Sequence, residues 1–548
     1  MISAVGMGRV VTGAALVVVV VWPVVATVLL ALQGEAGPST SAGLIDASAF
    51  GRETGLVAGP AVETLRVVGF AVLGSFLLGI PLALGLFRTD LPGRVPVLGM
   101  MALALFVPMP LYAAAWIGGF GNAGYQQAYG TSPLLVGWTG AAFVHAMAGV
   151  PWVVLLAGIG LKGVEPELEE SARLDLPLWR VVPGVTLRRS AAAIIGAGLL
   201  VAVLTSGDMT ITDLLLVRTY AEEAYVQYGL GRPPWAVALV AIPPTLVMMG
   251  TLLIALRFTE IFESFRVSTG TRSSQVWLLG RWRWPAAGMV WGVSVAMFGP
   301  PLAALIWRAG RIGGDAARGI APGWSVEGLA ESLAYAMAEV RAPLVQTGIV
   351  AAIGASLSVV LAWGLSWQLR TRGAWRVGIV TLLALMLAMP GPVAGMALKL
   401  AYLHVPIFYD TSLIVILGAM IRTVPFAVLV LWPAVRRVPL AVLESAEVDG
   451  WGPWQRVWRV AVPLSLRGIA GAWLVAFVLA MGELPITNLV TPAGMDSLTV
   501  FLWGQMHFGV DSRISGVGLV LLGLYAAVGG LTVAVTSATL RSFHNVIS

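Results

Sequence analysis

Two acidic residues stand in closely similar polar settings 275 positions apart. One is Asp208, in Gly207-Asp208-Met209-Thr210-Ile211-Thr212-Asp213-Leu214; the other is Glu483, in Gly482-Glu483-Leu484-Pro485-Ile486-Thr487-Asn488-Leu489. Both adjoin long apolar segments, where a carboxylate is costly and marks a functional position by default. Facing each other, with Thr210 and Thr487 alongside, they can form a constriction that attracts a cation, either a metal or an amine. Placed at a membrane edge, they would instead cap helices or pair with nearby arginines. Little else in the chain is suited to covalent chemistry. The absence of Cys removes disulfides, iron–sulfur clusters and thiolate zinc sites. His145, His404, His507 and His544 are scattered, so no metal or cofactor site is read from them. A phosphate loop needs Gly-Lys-Ser/Thr after a glycine-rich turn. Lys162 lies between Leu161 and Gly163, and Lys399 between Leu398 and Leu400, so neither fits. The chain reads as no enzyme, with no catalytic residues and no cofactor.

The surrounding elements are membrane spans. With 58% hydrophobic and 11% charged residues and a mean hydropathy of +0.88, the 548-residue chain is a polytopic membrane protein. Its net charge of +6 is accounted for by Arg-rich loops under the positive-inside rule, and nucleic acid is not a partner. A hydrocarbon core of about 30 Å takes roughly 20 apolar residues per helix. On that rule spans are expected near 10–32, 64–87, 97–118, 133–161, 191–206 and 234–256, then 285–307, 345–367, 377–400, 412–435, 468–482 and 515–539. The fifth of each six is expected to be short and interrupted. The run from Val10 to Leu32 is too long for a signal peptide and reads as a retained first span. Arg density in the loops after the even-numbered spans places those loops, and both termini, in the cytoplasm.

The chain repeats itself. Val150-Pro151-Trp152 matches Val424-Pro425-Phe426 at an offset of 274, and Pro108-Met109-Pro110 matches Pro390-Gly391-Pro392 at 282. Two halves follow, 1–270 and 271–548, each of six spans. An even number of spans makes the repeats parallel, with a seam between them. The proline pairs break backbone hydrogen bonds mid-span, as gating bends or as fixed packing kinks. Arg422, Lys399 and His145 read as packing or snorkelling residues.

The two cytoplasmic loops at 164–188 and 438–464 carry the most specific pattern. The second reads Glu444-Ser445-Ala446-Glu447-Val448-Asp449-Gly450, then an aromatic and basic run from Trp451 to Val460, then Val462-Pro463-Leu464. The first reads Glu170-Ser171-Ala172-Arg173-Leu174-Asp175, with Leu176 where Gly450 stands and Leu187-Arg188 where Val462-Pro463 stand. Asp449-Gly450 is a turn signal that separates two short helices. In the second loop Glu444, Asp449, Arg456 and Arg459 form a polar face, and Trp451, Trp454, Val457 and Trp458 an apolar one.

This pattern resembles the cytoplasmic coupling loop of ABC importer permeases, and the resemblance extends over nearly the whole chain. In its fused two-half length and its Gly-Glu stretch the chain looks most like the ferric-iron, thiamine and polyamine branch. The resemblance implies an all-α bundle of the type I importer kind in a bacterial inner membrane. It also implies an ATP-binding cassette ATPase dimer docked on the two loops and an extracytoplasmic solute-binding protein that delivers the substrate. Glu170, Ser171, Ala172, Asp175, Glu444, Ser445, Ala446, Asp449, Gly450 and Pro463 then belong to the coupling loops. Asp208, Thr210, Glu483 and Thr487 belong to the path, with ferric iron ahead of thiamine and polyamines as the solute. A secondary transporter with parallel six-helix repeats also predicts twelve spans, but it leaves the matched loops unexplained. A lipid-modifying membrane enzyme would need paired Asp or His motifs.

Overall fold

The computed structural model describes residues 2–33, 47–121, 132–232, 234–264, 276–314, 321–371, 373–508 and 512–527. Long apolar stretches rich in Ala, Leu and Gly satisfy their backbone groups internally as helices, the form a single apolar segment must take in lipid. The first half contains α1 (Ile2–Leu16), α2 (Trp22–Gln33), α3 (Ala47–Arg88), α4 (Arg94–Ala104), α5 (Met109–Phe120) and α6 (Gly137–Lys162). The loop helices α7 (Pro166–Asp175) and α8 (Leu178–Val181) follow. Then come α9 (Ala191–Ser206), α10 (Thr210–Leu214), α11 (Tyr220–Gly229) and α12 (Pro234–Ser264). The second half opens with α13 (Arg283–Ala309) and an antiparallel ribbon, β1 (Arg311–Ile312) with β2 (Gly323–Trp324). It continues through α14 (Val326–Glu339), α15 (Arg341–Leu369), α16 (Ala374–Ala388), α17 (Gly391–Tyr402), α18 (Pro406–Tyr409) and α19 (Ser412–Arg436). Loop helices α20 (Leu440–Val448) and α21 (Pro453–Arg456) precede α22 (Val462–Met481), α23 (Pro485–Val490) and α24 (Leu498–Phe508).

Among the described residues, seven helical stretches are long and apolar enough to cross a membrane, or ten if each of three bent pairs is one span. Two shorter apolar helices, Val240–Leu256 and Ser512–Ala527, stand at the expected sixth and twelfth positions. Residues 528–539 of the last expected span, and the expected boundary at 270, lie outside the described residues.

Two expected spans are not straight. In place of 97–118, α4 and α5 meet at 107°, and in place of 377–400, α16 and α17 meet at 110°. Pro108 and Pro390 take extended backbone (ψ 143° and 144°), and Pro110 and Pro392 sit in the first turn of the helix that follows. A proline lacks the N–H needed to continue a helix but is well suited to start one. The proline pairs therefore make complete corners and not the bends or kinks expected from the sequence. The fifth spans also differ from each other. In the first half the helical stretch through Leu187 and α9 are bent by 68°, as an interrupted span requires. In the second half the helix runs unbroken from Pro453 to Met481, a correction to the short 468–482. A π-helical stretch, Val457–Ala461, precedes α22, and the Val462 N–H reaches back to the Val457 carbonyl. That wider turn accommodates Pro463 without ending the helix.

The core follows the repeat. α3 packs along α6 and α9, and α15 packs along α19 and α22 in the same relation. The first span of each half crosses to the other. Leu16, Val19, Val20 and Ala26 are buried in one cluster with Ile414, Ile421 and Leu431, while Ala287, Val290 and Met297 are buried with Leu86, Met101 and Tyr112. The Tyr402 hydroxyl donates to the Val18 carbonyl at 2.6 Å, and the Trp22 indole donates to the Ala401 carbonyl at 3.3 Å.

Candidate functional site

Positions related by the repeat converge on one cavity of about 120 Å³. Leu204 and Leu479, Gly207 and Gly482, Asp208 and Glu483, and Thr210 and Pro485 all line it, each pair at the offset of 275. Trp152 and Phe426 line it as well, each directly after the proline of its Val-Pro-aromatic triplet. Tyr112 and Met109 of α5 contribute from the corner that Pro108 creates. Arg422 of α19 breaks the symmetry, because its repeat counterpart at offset 274 is Ala148.

Both carboxylates cap helices. An Asp208 oxygen accepts the Ile211 N–H at 3.0 Å, at the start of α10. Glu483 accepts the N–H groups of Ile486 and Thr487, both at 2.8 Å, and the Thr487 hydroxyl at 2.7 Å, at the start of α23. Each short helix begins where the fifth span of its half ends, so its first N–H groups need acceptors. A carboxylate placed there both satisfies them and remains on the cavity wall. The structure thus brings Asp208, Thr210 and Glu483 together around one space. Thr487 acts behind them, on Glu483.

Arg422 and His145 face this pair. The Arg422 guanidinium lies against Gly207, where an added Cβ would stand 3.4 Å from Nη1. His145 of α6, which reads from sequence as a packing residue, has Nδ1 2.8 Å from the Ala141 carbonyl and Nε2 3.3 Å from an Asp208 oxygen. A carbonyl only accepts, so Nδ1 carries a proton. The other ring nitrogen is thereby left facing the Asp208 carboxylate. Sequence offered one signal for this role: His145 is the sole histidine within the first six spans. Lys399 lies away from the cavity, 5.7 Å from the Tyr228 ring centroid.

The two Glu-Ser-Ala loops are helix pairs beyond the ends of α6 and α19. Glu170, Ser171 and Asp175 of α7 are exposed and Ala172 is half-buried; Glu444 and Ser445 of α20 are exposed and Ala446 is buried. Asp449 ends α20, and Gly450 takes a left-handed φ of 84°, forming the turn that its Asp-Gly signature predicts. Leu176 instead takes extended backbone before Pro177, so the first loop is shaped differently. Pro463 is exposed, in the first turn of α22. Arg456, expected on the outward polar face, folds back to pair with Glu447. Trp454 and Trp458 are exposed beside it.

Residues 354–548 match the family model described as "Binding-protein-dependent transport system inner membrane component". Over that stretch the chain is similar to inner-membrane permease components of the ABC importer kind. The chain is 24% identical over 214 residues to the putrescine transport system permease protein PotI of Escherichia coli, covering 38% of this chain and 75% of that one. It is 27% identical over 109 residues to the E. coli inner membrane ABC transporter permease protein YcjP (18% and 39%). It is 30% identical over 105 residues to the spermidine/putrescine permease protein PotB of Haemophilus influenzae (19% and 37%). The matched stretches thus span well under half the length of YcjP and PotB. The family consists of multi-pass transport components, not enzymes.

Proposed function

We propose that this permease supplies both membrane halves of an ATP-driven importer and conducts a small organic cation of the polyamine class through the cavity between Asp208 and Glu483. One observation carries the reading: residues at equal repeat offsets line one space on the seam, as a path between two related halves requires. The wall combines two carboxylates with Tyr112, Trp152 and Phe426, and aromatic faces and carboxylates are the groups that hold an ammonium. Three of the relatives are named as spermidine or putrescine permeases, which ranks an amine ahead of ferric iron and reverses the order expected from the sequence. A cavity of about 120 Å³ is smaller than the roughly 300 Å³ at which ligand pockets begin, so a solute passes only when the halves part.

The parting force comes from a separate ATPase dimer seated on the loops at 164–188 and 438–464, which face the cytoplasm together with both termini. A solute-binding protein docks on the opposite side. Glu170 and Glu444 are the exposed charges that meet the ATPase, and residues 1–270 and 271–548 are the two permease halves. The test is affinity purification from native membranes in mild detergent, comparing wild type with Glu170→Lys and Glu444→Lys. An ATP-hydrolysing partner recovered by wild type and lost from the variants supports the reading. No partner, together with solute movement on an ion gradient by the chain alone, overturns it in favour of a secondary transporter. Uptake of putrescine and ferric iron by the recovered complex in proteoliposomes then decides the substrate.

A further inference from the structure

The two loops are fastened to the bundle by different means. Arg88, the last residue of α3, is fully buried and pairs with the carboxylate of Glu169, also fully buried, on the inner face of α7. The other Glu169 oxygen accepts the Thr186 hydroxyl at 2.6 Å. Arg88 also donates to the Leu161 carbonyl at the end of α6, at 3.2 Å. Its guanidinium stands 5.1 Å from the ring centroid of Trp277, in the segment that joins the halves. That segment is held to the residues after α3 by main chain and side chain. The Trp277 N–H donates to the Arg88 carbonyl at 2.7 Å, the Asp90 N–H to the Trp277 carbonyl at 3.3 Å, and the Leu279 N–H to an Asp90 oxygen at 2.9 Å. Arg283, which opens α13, lies 3.6 Å from the same carboxylate.

The second half keeps the cation and lacks its partner. Arg370 occupies the position of Arg88 at the offset of 282 and donates to the Val435 carbonyl, the counterpart of Leu161, at 3.4 Å. Its Nη2 donates to the Val438 carbonyl at 2.9 Å. Where the first half has Glu169 and Thr186, the second has Leu443 and Ala461. Helix α20 is stapled within its own loop, through Glu447 and Arg456.

We propose that Arg88 and Glu169 are positioning residues that latch the first loop helix to the end of α3 and to the joining segment, making the two loops mechanically inequivalent. A push on α7 then moves α3, α6 and the start of α13 together. A push on α20 moves a self-stapled hairpin attached through main-chain bonds. Breaking a buried pair by removing one partner leaves an uncompensated buried charge and is strongly destabilising. The latch therefore holds α7 on the bundle more tightly than the second half holds α20. The proposal rests on the reading that these loops carry the ATPase.

Hydrogen exchange of the full-length chain in lipid nanodiscs tests it. In wild type, α7 amides exchange at least about tenfold more slowly than α20 amides, since exchange reports local opening. Glu169→Leu, which installs the residue found in the second half, removes that difference, and Glu169→Gln, which preserves shape and loses the charge, reduces it. Slow exchange in α6 and α19 shows that each variant is folded. The double variant Leu443→Glu, Ala461→Thr builds the latch on Arg370 and slows α20, a gain that a purely structural role for Glu169 would not produce. Equal exchange of α7 and α20 in wild type, unchanged α7 protection in Glu169→Leu, or no slowing of α20 in the double variant overturns the latch. Recovery of the ATPase by wild type is read separately. A failed latch with the ATPase still bound leaves the importer reading intact, and an intact latch with no ATPase overturns only that reading.

Discussion

Replacing Glu222 with Gln should make the protein more stable in alkali and leave it unchanged in acid. Glu222 lies on α11, whose first N–H, that of Tyr220, donates to the Thr64 hydroxyl of α3 at 3.0 Å. Thr64 is 24 residues from Arg88 along one helix, about 36 Å at 1.5 Å per residue. α11 itself belongs to none of the stretches long and apolar enough to cross a membrane. Glu222 is 6% exposed, and one of its oxygens has no hydrogen-bond partner. Burial above all, then the adjacent Asp213 charge, pushes its carboxyl from 4.5 up to about 8. An acid whose folded value is raised binds its proton more tightly in the native state. Its contribution to stability is therefore present below 4.5 and is lost as pH rises through about 8. A raised value of this size corresponds to a penalty on the order of a few kcal/mol above pH 8, which an uncharged Gln avoids. Thermal unfolding followed by tryptophan fluorescence should give matching midpoints for wild type and Glu222→Gln at pH 4.5. At pH 9 the midpoint of the variant should be higher by roughly several degrees. Superimposed midpoints at both pH values, or a variant less stable at pH 9, would refute the reasoning.

Gly160 lies where α6 and α9 touch, and an added Cβ would stand 2.4 Å from the Cβ of Ala193. Gly160→Ala should cost about 1–3 kcal/mol in thermal unfolding, while Gly196→Ala, with open space around it, should be near neutral. Gly450→Ala strains a left-handed turn by about 1 kcal/mol and should weaken ATPase recovery without lowering the main unfolding midpoint. In the recovered complex, Glu483→Gln should reduce amine uptake by about tenfold with ATPase recovery unchanged, because one of the two cavity carboxylates is lost. Unchanged uptake would remove Glu483 from the path.

The spans were legible because lipid imposes one simple demand, a run of apolar residues with its backbone bonded internally. The turn at Gly450 was legible because Asp-Gly carries its own backbone preference. The corners at Pro108 and Pro390 were only half legible. Proline marks where a helix must stop, but the angle of the next helix depends on what it packs against. Glu170 stood out because it repeats as Glu444, whereas Glu169 does not repeat. A fully buried carboxylate beside an exposed one in the same helix cannot be distinguished by spacing alone. The signal that existed was the missing counterpart, Leu443, and its meaning appears only once Arg88, 81 residues before Glu169, is seen against that carboxylate.

Composition and hydropathy determined by themselves that this chain is an all-α, multi-pass protein, and its repeated motifs paired the acidic loops, because those properties follow from local residue chemistry and its period. Tertiary structure decided the rest. It set the exchange of the first spans between halves, the cavity where Asp208 and Glu483 share a wall, the approach of His145 to Asp208, and the fastening of one loop but not the other. Each of these depends on side chains tens to hundreds of residues apart meeting within a few ångströms, and on burial, which gives a charge its partner or leaves it without one.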